Sequence, residues 1–159
     1  MKYFGEKSLS SVLSTLFNFA WYAILIVSVI AVICGFIFII VTTVNDPTAM
    51  GMDMEGEDWE SFHGLPAVVK MLFLIYFGVL ATLVLKIIKK SQLLFANFKQ
   101  DIVFDQSNVT NTSNIGKLMV WFAVLTLDLG TLFVSLLLLM LCELFKSGAM
   151  LQEEHDLTV

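Results

Sequence analysis

From Ser8 to Asn45 the chain carries no charged side chain. That one run constrains the fold more than anything else in the sequence. Crossing the hydrocarbon core of a bilayer takes about 20 apolar residues at ~1.5 Å of rise each. The stretch exceeds this requirement, and a cleaved signal sequence would have a shorter apolar segment followed by a small-residue cleavage site. It is expected to be a retained membrane anchor.

The rest of the chain supports the same solvent. Of its 159 residues 58% are hydrophobic and 14% charged, with a mean hydropathy of +0.86, against roughly 45–50% and about 25% in soluble domains. A water-soluble core of this length has too little interior for so much hydrocarbon. The spacing predicts an all-α integral membrane helical bundle with three long transmembrane helices, at about 17–44, 66–88 and 117–143. Between them lie an acidic loop at 45–65, a connection at 89–116 and a polar tail at 146–159. The third run, Leu118 to Cys142, makes one tilted span comfortably. Broken at Asp128-Leu129-Gly130, it becomes a hairpin and allows four crossings, but its arms are short for a bilayer.

Lysines set the expected orientation. Lys2 and Lys7 precede the first run, and Lys86, Lys89, Lys90, Lys99 and Lys117 surround the second connection; the first connection has none. The positive-inside rule puts the N-terminus and the second connection in the cytoplasm and the acidic loop outside a cell (inner) membrane. Trp21-Tyr22 and Trp121-Phe122 then fall at the cytoplasmic interface, where aromatic belts form. Lys70 and Lys86, near the ends of the second span, are expected to snorkel toward headgroups.

All nine basic residues are lysine and the net charge is −5, which argues against direct nucleic-acid contact. Cys34 and Cys142 stand alone within apolar runs, without metal-ligand or disulfide spacing. No nucleophile–base pairing, phosphate loop or metal motif points to an enzyme or implies a cofactor. His63 and His155 have no spacing partner.

Three features remain as candidates. Asp128 is a carboxylate expected near mid-bilayer, where such a group costs about 2.5–3.5 kcal/mol on insertion scales. Ser28, Thr82 and Asp128 each lie seven residues from an interfacial anchor (Trp21, Lys89, Trp121), so they are expected at one depth and form a candidate polar layer. Packing by hydrogen bond, a proton-linked switch and a turn residue are the three readings of Asp128. The acidic loop carries Asp46, Asp53, Glu55, Glu57, Asp58 and Glu60 with Met50, Met52 and Met54. That mixture of hard and soft donors suits neither Ca²⁺ nor Cu(I), so a solvated loop is expected. In the second connection, Leu93, Phe95 and Phe98 begin an apolar stripe at helical spacing, which lies on the membrane surface or docks a partner. Asn108-Val-Thr110 and Asn111-Thr-Ser113 match the glycosylation pattern but face the cytoplasm in this orientation. Ala31 and Gly35, Gly78 and Thr82, and Thr131 and Ser135 are small pairs four apart, suited to close helix approach.

The segment Phe104-Asp105-Gln-Ser-Asn108-Val109 and the ending Gly148-Ala-Met-Leu151-Gln-Glu153-Glu154-His-Asp156-Leu157-Thr-Val159 resemble the bacterial membrane-protein family called domain of unknown function 2975. Its members typically end in a leucine-rich span and a tail of this kind. They usually have four spans with an external loop between the last two; here one run, Leu118 to Cys142, stands in that place. The resemblance implies a membrane partner for a cytoplasmic helix-turn-helix regulator, acting by sequestration or signal relay. Leu93, Phe95, Phe98, Leu151, Glu153, Glu154, Asp156 and Leu157 are the candidate docking residues. The expected partners are therefore the lipid bilayer, such a regulator and a second copy of the chain. An accessory subunit of a larger membrane complex and a small transport or ion-handling protein are the alternative functions.

Overall fold

A computed structural model describes Tyr3, Gly5, residues 8–44 and residues 62–157, with backbone alone at 44, 149 and 152–157. The acidic loop expected at 45–65 lies outside the described residues, apart from its last four. Among the described residues four helices follow in order: α1 (Leu9–Val44), α2 (Ala67–Lys99), α3 (Gln106–Thr126) and α4 (Leu129–Leu157). Three contain stretches long and apolar enough to cross a membrane: Leu9–Thr43, Ala67–Lys99 and Leu129–Gly148. The chain is an all-α, multi-pass membrane protein.

The helix boundaries follow local chemistry. The Ser8 carbonyl receives the amides of Ser11 and Val12 as α1 begins, and the Pro66 carbonyl those of Val69 and Lys70 at α2. Proline suits this place because its missing N–H would have no partner in a first turn. Asp105 caps α3: its carboxylate accepts from the Ser107 amide at 2.8 Å and from the Ser107 hydroxyl.

The third apolar run is not one helix. It breaks at Leu127-Asp128 into α3 and α4, so the expected single span at 117–143 is corrected to a helical hairpin. The Leu127 and Asp128 amides return to the Val124 and Ala123 carbonyls at 3.4 and 3.0 Å. This pair of bonds closes a helix with a left-handed residue just beyond it, here Leu127 at φ 54°. Asp128 immediately caps the next helix, accepting from the amides of Gly130 (2.9 Å) and Thr131 (3.2 Å) and from the Thr131 hydroxyl (2.6 Å). Stop and start signals placed back to back outweigh the continuous hydropathy.

The left-handed conformation of a leucine costs about 1–2 kcal/mol. Leu127→Gly is therefore expected to raise stability by about 0.5–1 kcal/mol, after allowing for glycine's greater freedom when unfolded. Asp128→Ala is expected to lower it by about 1 kcal/mol. Denaturant titration of the purified protein in micelles measures both, and equal signs for the two variants would contradict this account of the corner.

Two compact bodies are present, one comprising Met1–Ile24 and Thr82–Val159, the other Leu25–Ala81. In the second body α1 and α2 come close at Gly35, where an added Cβ would stand 2.8 Å from Leu74 Cδ1. Gly78 faces open space instead, so only one of these two glycines serves close packing. Lys70 reaches back along the chain, toward the residues that precede the span. It is 3% exposed, donates to the His63 carbonyl at 3.2 Å and stands 5.2 Å over the Phe62 ring. Cys34 is exposed on α1, whereas Cys142 is buried.

In the first body α3 and α4 pack antiparallel along a seam of small residues. An added Cβ on Gly116 would stand 2.6 Å from Leu139 Cδ2 and 2.8 Å from its Cγ. Ala123 and Ser135 are buried in the same body, and the Cys142 thiol donates to the Val109 carbonyl at 3.3 Å. Small side chains let helix backbones approach, and the seam takes its small residues from both helices.

Candidate functional site

The corner where α2 turns into α3 is a hydrogen-bonded polar feature of the first body. Asp101, at φ 61°, ends α2. Its amide reaches the Phe98 carbonyl at 3.2 Å and the Ile102 amide reaches the Asn97 carbonyl at 3.1 Å. Asn108, on the first turn of α3, has no exposed surface. Its side-chain amide donates to the carbonyls of Ile102 and Val103, both at 2.9 Å, and its oxygen accepts from Asn97 at 2.7 Å. One buried side chain thus satisfies two loop carbonyls and joins two helices. The same Asn97 amide donates to the Ser107 hydroxyl at 3.0 Å.

Asp105 completes the corner. The Ser107 hydroxyl, then the Ser107 amide, hold its carboxyl below the usual carboxylate range. A lowered folded-state pKa means the cap's contribution is fully present above the ordinary carboxylate pKa. It is lost as pH falls through the lowered value.

These contacts redistribute the candidate docking residues. Phe95 stacks on Phe17 with ring centroids 5.4 Å apart. Phe98 is 8% exposed and packs against Phe95 and Phe145. Phe98 is thus buried and Phe95 half-buried, and these aromatic contacts occupy faces that the docking reading had assigned to a partner. Leu93 and Leu151 remain exposed, at 41% and 67%. Glu153, Glu154, Asp156 and Leu157 lie on the α4 backbone, and their side chains fall outside the described residues.

Asp128 takes its hydrogen bonds from its own turn, the turn reading of the three. Ser28 falls in the second body, half-buried, and Thr82 in the first, exposed. The glycosylation pattern has a structural explanation, because Asn108 is fully buried and Asn111 is 8% exposed. Thr112 lies on the same helix, 1% exposed, with its hydroxyl unpartnered.

Sequence reasoning missed the link between the two segments that carried the resemblance. An added Cβ on Gly148 would stand 2.5 Å from Phe104 Cδ1, and the Phe104 and Phe145 rings are 6.1 Å apart. The glycine of the tail leaves room for the phenylalanine that opens the α3 segment. Nothing in linear spacing signals that contact.

A second polar feature is a cleft of about 480 Å³ between α2 and α3, lined by Lys86, Lys89, Lys90, Lys117, Asn114, Leu118 and Trp121. Among the described residues no carboxylate lines it.

No family model matches the chain, and neither the curated proteins nor the solved structures contain a significant match.

Proposed function

We propose that the chain is a membrane adaptor holding a folded helical body against the cytoplasmic face of a bacterial cell membrane, for a soluble helix-turn-helix regulator to bind. The observation that carries this reading is the length of helix beyond the lysines. α2 continues from Lys86 to Lys99, about 20 Å past the headgroup level. There it packs with the start of α1 through Phe17–Phe95 and an Asn18–Gln92 hydrogen bond of 3.0 Å. A simple anchor needs no such folded extension.

On this reading the hairpin re-enters the membrane rather than crossing it. From Lys117 to Leu127 is ten residues, about 15 Å, or half the hydrocarbon thickness. A full crossing would draw α3 in as far as Asn108. Of Gln106–Lys117 only Val109, Ile115 and Gly116 lack a polar side chain, and Thr110 and Lys117 are exposed. Placing such groups in hydrocarbon costs several kcal/mol. Half-insertion keeps those groups out of hydrocarbon and returns α4 to the side it left. Asp128 then lies at the inserted tip, where hydrogen bonds from the Gly130 and Thr131 amides and the Thr131 hydroxyl offset part of the cost of an exposed carboxylate at that depth.

The resemblance to domain of unknown function 2975 supplies the partner class, by analogy alone. Exposed Leu93 and Leu151 are the docking residues retained. A fluorescent protein that matures only in the cytoplasm, fused after Val159, should fluoresce, and a parallel alkaline phosphatase fusion should be inactive. The reverse pair of results would put the tail outside and end the adaptor reading based on α4. With the topology established, a helix-turn-helix protein should co-purify with the wild type and be lost from Leu151→Asp. Unchanged recovery would remove α4 as its dock.

A further inference from the structure

We propose that the cleft between α2 and α3 binds the phosphodiester headgroup of an anionic glycerophospholipid. Lys86, Lys89 and Lys90 occupy one turn of α2, and Lys117 of α3 closes the same cleft. Like charges three and four residues apart on a helix repel one another. Here three such charges meet a fourth, in a chain whose net charge is −5. Lys89 turns to neutral groups: its ammonium donates to Gln92 Oε1 at 3.0 Å and stands 5.5 Å over the Trp21 ring. A bound phosphodiester would offset part of the cluster's positive charge, and Asn114 adds an amide donor.

The boundary between polar and apolar lining selects a lipid over a free phosphate. On α2 the apolar run ends at Leu85-Lys86, and on α3 it begins at Lys117-Leu118. Both transitions meet at this cleft, so its lysine side lies at headgroup level and its Leu118–Trp121 side in the acyl region. Trp121 is 65% exposed, as expected of an interfacial aromatic ring. A molecule filling the cleft is anionic at one end and hydrocarbon at the other. Basic pockets between membrane helices are known to hold acidic headgroups.

The test uses the full-length protein in nanodiscs of phosphatidylcholine containing increasing phosphatidylglycerol. Retained lipid is counted by native mass spectrometry after release. Wild type should retain phosphatidylglycerol selectively. Lys90→Gln/Lys117→Gln should weaken retention about thirty-fold, at about 1 kcal/mol per lysine. Lys90→Arg/Lys117→Arg should restore it, and Lys99→Gln/Lys146→Gln, with the same charge change elsewhere, should alter it less than about three-fold. Equal loss in both glutamine pairs would mean diffuse attraction and overturn the site. Displacement by millimolar inorganic phosphate or glycerol 3-phosphate would make it a free-phosphate site and overturn the lipid assignment. A glutamine pair that lost retention together with its helical circular dichroism is replaced in the comparison by the single Lys117→Gln, for which a loss of at least about three-fold is required.

Discussion

Asn108→Ala is expected to cost about 3 kcal/mol of stability, the largest effect expected of a single polar substitution among the described residues. The side chain makes three hydrogen bonds with no exposed surface. Its removal leaves the Ile102 and Val103 carbonyls unpaired, along with one donor of Asn97. A buried group stranded in this way costs about 1–3 kcal/mol, while an ordinary hydrogen bond contributes about 1. Asn108→Asp should fare little better, because a carboxylate has no donor for the two carbonyls. Denaturant titration in micelles, followed by circular dichroism, gives the magnitude. Hydrogen exchange gives the location, since the loss should appear first at Ile102–Asn108. A cost below about 1 kcal/mol would mean that the corner is not held by this side chain.

Gly116→Val should separate the α3–α4 hairpin, at a cost of about 2–3 kcal/mol. The first added carbon would already stand 2.6 Å from Leu139 Cδ2, and overpacking of a close seam costs about 1–3 kcal/mol. Valine adds two further methyl groups and a stiff χ1 angle. The companion variant Leu139→Ala removes the obstructing side chain. Combined with Gly116→Val it should recover at least half the loss, the non-additivity expected of residues in contact. Simple addition of the two single effects would show that the seam does not close there. A cysteine pair at Val109 and Cys142, the second already present, reports the same separation: the native thiol lies 3.3 Å from the Val109 carbonyl, so Val109→Cys should cross-link in the intact hairpin and not in the glycine variant.

These two sites differ in how much of them could be read beforehand. Membrane residence, helical class and the first two spans follow from hydropathy and charge alone, because hydrocarbon tolerates so few alternatives to a helix of about 20 apolar residues. The lysine level was legible in the same way. The hairpin was legible only as an alternative. Its stop signal uses leucine where glycine is usual, so composition concealed it, and its start signal, Asp128, also fitted an intramembrane carboxylate. Phe95 and Phe98 show the limit of periodicity: a stripe at helical spacing marks an apolar face without saying what covers it. Here Phe17 and Phe145, distant in sequence, cover it.

By itself, then, the sequence determined the solvent, the helical class and where charge stops the apolar runs, each a property of a residue and its near neighbours. Only the tertiary structure decided that the last run folds back at Leu127-Asp128, that Asn108 locks the corner, that Gly148 makes room for Phe104, and that four lysines share one cleft. Those outcomes depend on which surfaces meet. Burial of an amide, clearance for a ring and the repulsion of a fourth charge exist only once residues far apart in the chain are brought within a few ångströms.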